Sequence, residues 1–551
     1  MGGVGIIWFR HGLRIHDNPA LMYLLDTVDV VYPVFIFDGE VAGTTLCGYN
    51  RWRFLYQSLQ DLERQFVQQG GFFYTFQGKP TEIFAKIIKE WEVTHVAFEQ
   101  DPEPVWQERD TSVKDLCDKM NVEWKEAVSH TLWNPYEVID ENGGKPPITF
   151  AGFQEIVQSM GQPERPTPTP DFRKVKLAVL PNSQKLYGLP AFEKIGPAIE
   201  TELQKKNIWR GGELIGLELL EGRMEHEIKA FKEGTCLPNQ YTPNLVDAPM
   251  SLSPYLRFGC VSVRLFYWRV TDAFNKFKND KLLDKGINEA SVSVQLIWRE
   301  FFYTMSVNNI NFSKMKDNPI CLQIAWKEDP VMLKSWKMGQ TGYPWIDACM
   351  RQLRHEGWMH QVGRHAVTCF LTRGDLWISW EDGLQVFYEW LLDADWSICA
   401  GNWMWISSSA FEKFLSCPNC FCPVRYGQRM DPSGKFVRRW VPEIARYPDC
   451  YLFEPWKAPR EVQEKAKCIV GKDYPEVIVE HKSAAAYNNE KMKSISQFLQ
   501  EQNVALRSYC APSDEREIRE FSWLPDDDDD LTDEEDLEEC EQYHTVTVKV
   551  L

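Results

Sequence analysis

Over the first 130 residues, short runs of β-branched and aromatic residues alternate with helix-like stretches, and this alternation is the strongest constraint on the fold. Residues 4–9 (VGIIWF) and 30–37 (VVYPVFIF) are too short for ordinary helices and apolar throughout, so each reads as a buried strand. Between them, Asp17 or Asn18 can cap a helix whose first turn holds Pro19. Residues 50–69 and 109–120 read as helices, and 93–98 (VTHVAF) as a further strand. Strands and helices in this order predict a parallel, doubly wound sheet, an α/β domain over residues 1–132. Residues 133–200 are rich in proline and glycine, as in Arg165-Pro166-Thr167-Pro168-Thr169-Pro170, and read as an interdomain linker. Over 201–495 the strand signal fades and helical patterns dominate, which predicts an all-α domain. Residues 496–551 form a tail: a short aromatic helix between Asp514 and Pro525, then an acidic extension expected to be disordered.

Charge and cysteine usage narrow the function classes. The net charge is -18, but residues 526–541 hold twelve acids and no base, so the remainder carries only about -6. That balance neither repels nucleic acid strongly nor marks a general nucleic-acid binder. One basic run (Arg425, Arg429, Lys435, Arg438, Arg439 and Arg446) fits a solvated surface or a phosphate contact. No apolar run approaches the roughly 18 residues of a membrane span. The start reads as a buried strand rather than a signal peptide, Ile6 argues against myristoylation, and the last residues match no lipidation or retention signal. Fifteen scattered cysteines fit reduced thiols, hence cytoplasm or nucleus. Cys417, Cys420 and Cys422 lack a second Cys/His pair at finger spacing, so no metal site is expected within the chain; a zinc shared with a partner, using His481, is the alternative.

The segment Asp393-Ala394-Asp395-Trp396-Ser397-Ile398-Cys399, continuing to Trp403 and Trp405, carries the most chemistry. It closes a stretch with six tryptophans in 29 residues: Trp377, Trp380, Trp390, Trp396, Trp403 and Trp405. Leucine fills an apolar stripe more simply. What tryptophan adds is an easily oxidised ring. Two carboxylates, a thiol and oxidisable rings fit a redox cofactor; a dense aromatic core beside a tight turn fits the same residue types.

Several segments taken together resemble the photolyase–cryptochrome family. They are Trp8-Phe9-Arg10 with Asp17-Asn18-Pro19, residues 252–259 (LSPYLRFG), 296–300 (LIWRE), 339–344 (GQTGYP), 357–360 (GWMH) and the 393–405 segment. The resemblance covers residues 4–495. It implies an N-terminal α/β domain joined to a helical domain that binds FAD, with any antenna pigment left unspecified. By the resemblance, Arg223, Ser251, Ser253, Gln295 and Arg299 line the FAD phosphates and ribityl chain, and guanidinium and hydroxyl groups suit a buried pyrophosphate. Arg364 and Asp393 match a pair beside the isoalloxazine, Asp395 a contact to its polar edge, and Trp358 and Gln361 further cofactor contacts. On residue types alone, Arg364 and Asp393 also fit a structural ion pair. Trp403, Trp380 and Trp326 match the family's electron-transfer chain, and Trp377 a fourth member found in some animal relatives.

Departures from the family pattern separate its branches. Cys399 takes the place facing flavin N5, where relatives carry Asn or Asp, and resembles the light-sensing, insect-type cryptochromes. A thiol is a weak donor with an ordinary pKa of about 8.5, and a nearby anion raises it further. Reduction should therefore stop at an anionic semiquinone. Gln361 replaces the first histidine of the acid–base pair that (6-4) photolyases use, while His365 keeps the second; glutamine cannot relay a proton as imidazole does. Gln295 stands where dimer photolyases carry a glutamate. In the tail, Phe521 and Trp523 resemble the aromatic end segment that plugs the lesion pocket in insect-type cryptochromes. These residues imply a blue-light photoreceptor and not an enzyme, with DNA not expected as substrate. Light would release the tail for circadian signalling to clock or light-signalling proteins, ubiquitin-ligase components among the candidates, or alter self-association. A (6-4) DNA photolyase and a light-independent clock repressor are the alternatives.

Overall fold

A computed structural model describes residues 2–501 apart from 40–46, 148, 199–206, 237–242, 248, 285–286, 288 and 412–421. Six parallel strands appear among these residues: β1 (Val4–Phe9), β2 (Val30–Phe37), β3 (Tyr74–Gln77), β4 (His95–Glu99), β5 (Glu123–Ala127) and β6 (Lys176–Leu177). The sheet order is β3-β2-β1-β4-β5, and β6 pairs with the first half of β2 while β3 pairs with its second half. The order reverses at β1, as a doubly wound sheet requires. Helices α1 (Pro19–Thr27), α2 (Tyr49–Gln68), α3 (Pro80–Glu90) and α4 (Pro104–Lys119) cover its faces. The α/β expectation is met. The expected strand at 93–98 begins two residues later, and β3 and β5 were not anticipated. β3 is only four residues long, and β5 (EWKEA) is charged, as an edge strand tends to be. The proline-rich stretch holds two helices, Pro135–Glu141 and Phe150–Met160, before it delivers β6.

Of the two cap candidates, Asn18 is the cap: its Oδ1 accepts from Leu21 N at 3.0 Å. Asp17 turns away with a φ of +43° and pairs with Arg264 of the helical part at 2.5 Å.

Successive side chains of β1 point to opposite faces. Ile6 and Trp8 enter one core with Phe84, Ile87, Phe98 and Val113. Ile7 and Phe9 enter another, and that core does not stop at the domain. It runs through Phe54, Leu59 and Leu62 of α2 into Trp209, Leu220, Tyr255, Phe258 and Leu392 of the helical part. Polar contacts cross the same boundary. Glu213 accepts from Ile15 N and His16 N at 2.7 and 2.9 Å, and Leu13 N donates to Phe258 O at 3.0 Å. A Cβ on Gly259 would lie 2.4 Å from the Gly12 backbone, and Gly259 has a φ of +64°, so this close approach needs glycine on both counts. From 209 to 501 the described residues are predominantly helical, around a large core that holds Trp336, Trp345, Trp380 and Trp403. No helix among the described residues is long and apolar enough to cross a membrane.

Candidate functional site

The Asp393–Asp395 stretch is held by arginines from two directions. Arg51 of α2 donates to Ala394 O at 2.9 Å and to Tyr388 O at 2.8 Å, and Arg257 Nε donates to Ala394 O at 2.7 Å. Leu392 N donates to Gly357 O at 2.7 Å, which ties the stretch to the 357–360 motif. The two carboxylates on either side are thereby aimed by backbone they do not themselves hold.

Asp393 pairs with Arg364, Nη2 to Oδ2 at 2.8 Å, while Arg364 Nε donates to Met359 O at 2.8 Å. The other oxygen of Asp393, Oδ1, is buried without a partner. A buried acceptor left so costs about 1–3 kcal/mol, and a flavin, with its ring N–H, brings the missing donor. Arg364 also lies 5.9 Å from the Trp358 ring, and Trp358 Nε1 donates to Ser253 Oγ, which is 2.9 Å from Ser251 Oγ. Five expected cofactor residues (Arg364, Asp393, Trp358, Ser253 and Ser251) therefore form one connected cluster. Beside it a small cavity of about 90 Å³, open at its mouth, is lined by Asn244, Trp358, His360 and Arg439 among others. Gln361, half-buried, starts the helix Gln361–Cys369 that carries Arg364. The donor set fits FAD.

Asp395 caps the helix Trp396–Ile406, its Oδ1 accepting from Ile398 N at 3.0 Å. Cys399 is one turn along and buried. Burial, reinforced by Asp393, pushes its thiol up to about 12. Such a thiol keeps its proton and gives it up poorly. The second oxygen of Asp395 accepts from Tyr303 and leads into a network that sequence reading missed. Glu103, at the cap of α4, hydrogen-bonds Asp395, accepts from Ser397 N at 3.1 Å and from Trp106 Nε1 at 2.9 Å, and faces Arg257 at 3.7 Å. Burial and the Asp395 charge push Glu103 well above the usual carboxylate range. Asp395 goes the other way: Arg257 and the bonds from Glu103 and Tyr303 outweigh burial and keep it ionised. One proton is thus held between two carboxyls, one from each domain. Arg257 lies in the LSPYLRFG motif, the signal that could have found it; nothing local marks Glu103.

Not every expected residue joins the cluster. Arg299 belongs to the buried network, 2.7 Å from Glu300 and 3.2 Å from His130. Arg223 pairs with Glu227 at 2.5 Å, one turn along its helix. Gln295 is exposed. Burial and Arg364 lower His360 to about 4, and burial and Arg373 lower His365 to about 3, so both rings are neutral near pH 7.

Trp403 and Trp380 stand on adjoining helices, 1% and 0% exposed, and their indole N–H groups lack partners. A Cβ on Gly383 would fall 2.2 Å from Trp403 Cη2, so glycine is what lets the Trp380–Trp390 helix come so close. Trp326 and Trp377 meet at 4.9 Å between ring centroids. Trp390, Trp396 and Trp405 are packed in the same large core. Phe521, Trp523, Cys417 and Cys420 lie outside the described residues.

Comparison with known proteins agrees with this geometry. Residues 5–171 match the DNA photolyase family description, and residues 292–494 match "FAD binding domain of DNA photolyase". Cryptochrome-1 of Aedes aegypti is 46% identical over 540 residues, covering 95% of this chain and 98% of that protein. Cryptochrome-1 of Drosophila melanogaster is 45% identical, covering 95% and 99%, and that of Gallus gallus 44%, covering 91% and 79%. A bacterial class III photolyase from Agrobacterium tumefaciens superposes with a TM-score of 0.75 at 26% identity, over 90% of this chain and 98% of that one. A Synechocystis cryptochrome shares the fold, with a TM-score of 0.75 at 24% identity, over 89% and 99%. The chain belongs to the photolyase/cryptochrome family. Its cofactor is FAD, held by the helical domain.

Proposed function

We propose that this protein is a blue-light photoreceptor of the cryptochrome kind rather than a repair enzyme. One observation carries the choice: no group at the positions that the resemblance assigns to proton transfer, 361, 365 and 399 with the neighbouring His360, is suited to it near pH 7. Cys399 is held up at about 12, His360 and His365 are held down at about 4 and 3, and position 361 is glutamine. General acid–base catalysis works best when the pKa lies near the working pH. Trp298, which a lesion pocket would need, is stacked on Phe150 at 3.7 Å and packed edge-on against Trp405. The names of the relatives support the same reading.

When bound, FAD supplies blue-light absorption and takes up single electrons. In this reading Trp403 donates the electron and Trp380, Trp326 and Trp377 carry the hole outward. Unpartnered indole N–H groups at Trp403, Trp380 and Trp326 support it, because an oxidised ring with no acceptor keeps its proton and passes the charge on. Arg364, always charged, would steady negative charge added beside it, and Cys399, which holds its proton tightly, would be a poor proton donor to a flavin there. The output is release of the aromatic tail segment with Phe521 and Trp523 toward clock or light-signalling partners.

The test is Trp403→Phe. The ring still fills its space, so FAD binding should persist while photoreduction without added reductant slows strongly. Wild-type photoreduction in that variant would refute the chain. Catalytic restoration of (6-4)-damaged oligonucleotide by the wild type would make the protein a photolyase. A dark-active repressor that ignores Trp403→Phe would be the light-independent alternative.

A further inference from the structure

The helix His481–Glu501 lies against the turn that carries Trp377. His481 Nδ1 meets Asp375 Oδ1 at 2.7 Å, and Asn488 Nδ2 donates to the carbonyls of Gly374 and Asp375 at 3.2 Å each. Met492 is buried with Trp377 and Ile324, and Trp326 packs on the same cluster. The rest of Trp377 is held from the opposite side. Its N donates to Thr372 O at 2.8 Å, its Nε1 to Ala325 O at 3.0 Å, and its O accepts from Lys327 N at 2.8 Å. Its φ is +55°, which a bulky residue keeps only where its surroundings enforce it.

One turn of the helix presents Tyr487 and Lys491 together. Lys491 Nζ lies 4.5 Å from the Trp377 ring centroid and 4.4 Å from that of Tyr487. The ammonium group therefore bridges the two rings, whose centroids are at most about 9 Å apart. Trp377 is 5% exposed and Tyr487 65%. An oxidisable phenol, open to water, thus stands at the outer end of a tryptophan pair.

We propose that Tyr487 is the terminal electron donor of this protein, beyond Trp377. The proposal rests on the tryptophan chain read above. The step is balanced within the chain: one electron passes from Tyr487 to the oxidised Trp377 ring, which returns to its neutral form. The phenolic O–H bond breaks, its proton goes to water or buffer base, and a neutral phenoxyl radical remains. The matching electron stays with the flavin. Two features drive the step outward. Lys491 repels positive charge on Trp377 but not a neutral phenoxyl. The exposed phenol has a proton exit, whereas Trp377 Nε1 faces only the Ala325 carbonyl, a poor base. A hole parked as a neutral surface radical cannot return until a proton does, so charge separation outlives that on tryptophan alone.

The experiment uses the full chain with FAD, flashed with blue light without added reductant, and read by transient absorption and electron paramagnetic resonance. A tyrosyl signal should grow as the tryptophan radical decays, more slowly in D2O. Tyr487→Phe should abolish that signal and shorten the charge-separated lifetime several-fold. Lys491→Gln should lower the tyrosyl-to-tryptophan ratio, which a packing role would not do. A labelled phenol probe should couple to Tyr487 in light only, mapped by mass spectrometry. An unchanged spectrum and lifetime in Tyr487→Phe, with the long-lived tryptophan radical lost in Trp326→Phe, would sink the terminus and leave the chain standing. A tyrosyl signal that survives Tyr487→Phe would place the donor elsewhere. Radical formation indifferent to both Trp403→Phe and Trp326→Phe would overturn the chain and this proposal with it.

Discussion

A buried histidine sets a limit on this protein in acid. Burial, aided by Arg373, keeps His365 neutral down to about pH 3, while in the unfolded chain it titrates near 6.5. Its folded pKa is depressed, so its contribution is complete above pH 6.5 and is lost as pH falls toward 3. At pH 5 the loss from this one ring is about 2 kcal/mol, and His11 and His130, also held low by burial, act in the same sense. Denaturant unfolding at pH 7 and pH 5 should show the drop, and His365→Phe should remove its share. Cys399 gives the second test at this scale. Sulfur accepts hydrogen bonds weakly. An amide oxygen at 399 should favour a protonated N5, so Cys399→Asn should move the light-minus-dark spectrum toward the long-wavelength absorption of a protonated product. An unchanged spectrum would mean that Cys399 does not govern that proton. Both residues were legible in the sequence against a known motif, Cys399 as a departure from it and His365 as a position that keeps it. Their pKa values were not, because those depend on how deeply neighbours from distant segments bury them.

Elements decide how close the tryptophans come. The Trp380–Trp390 helix approaches Trp403 at Gly383, where a Cβ would meet Cη2 at 2.2 Å. Gly383→Ala should cost about 1–3 kcal/mol by overpacking and should alter photoreduction by displacing Trp403, although position 383 bears no redox group. Melting temperature and photoreduction rate check it together; a shift in neither would show that the helix yields freely. Strong periodicity made the longer elements legible: α2 was found to within one residue, and α4 in place although it starts five residues before the expected 109. The short edge strands were missed because β3 is four residues long and β5 lacks an apolar run. The site was legible where a motif is local, as in Asp393, Asp395 and Cys399. The Glu103–Asp395 pair was not, since its two members are brought together only by domain docking.

At the scale of the molecule, one core runs through both domains. Tyr255, Phe258 and Leu392 complete the underside of the sheet, and the Asp17–Arg264 ion pair and the Glu213–His16 contact, each at 2.5 Å, seal the boundary. Each part alone would expose to water the apolar face it contributes to this shared core. The chain should unfold in one transition seen alike by calorimetry and circular dichroism, and residues 201–551 expressed alone should not give a cooperatively folded protein. A stable, soluble fragment with its own melting transition would contradict this. The boundary therefore works as a weld rather than a hinge. Rotation of one domain against the other would tear apolar surface open and unpair buried charges, far beyond what a single added electron can drive. If the protein is the photoreceptor proposed above, a signal born at the flavin has to leave through pieces laid over the rigid body rather than by the body bending, and small-angle scattering should find the same radius of gyration for residues 1–501 in darkness and in light.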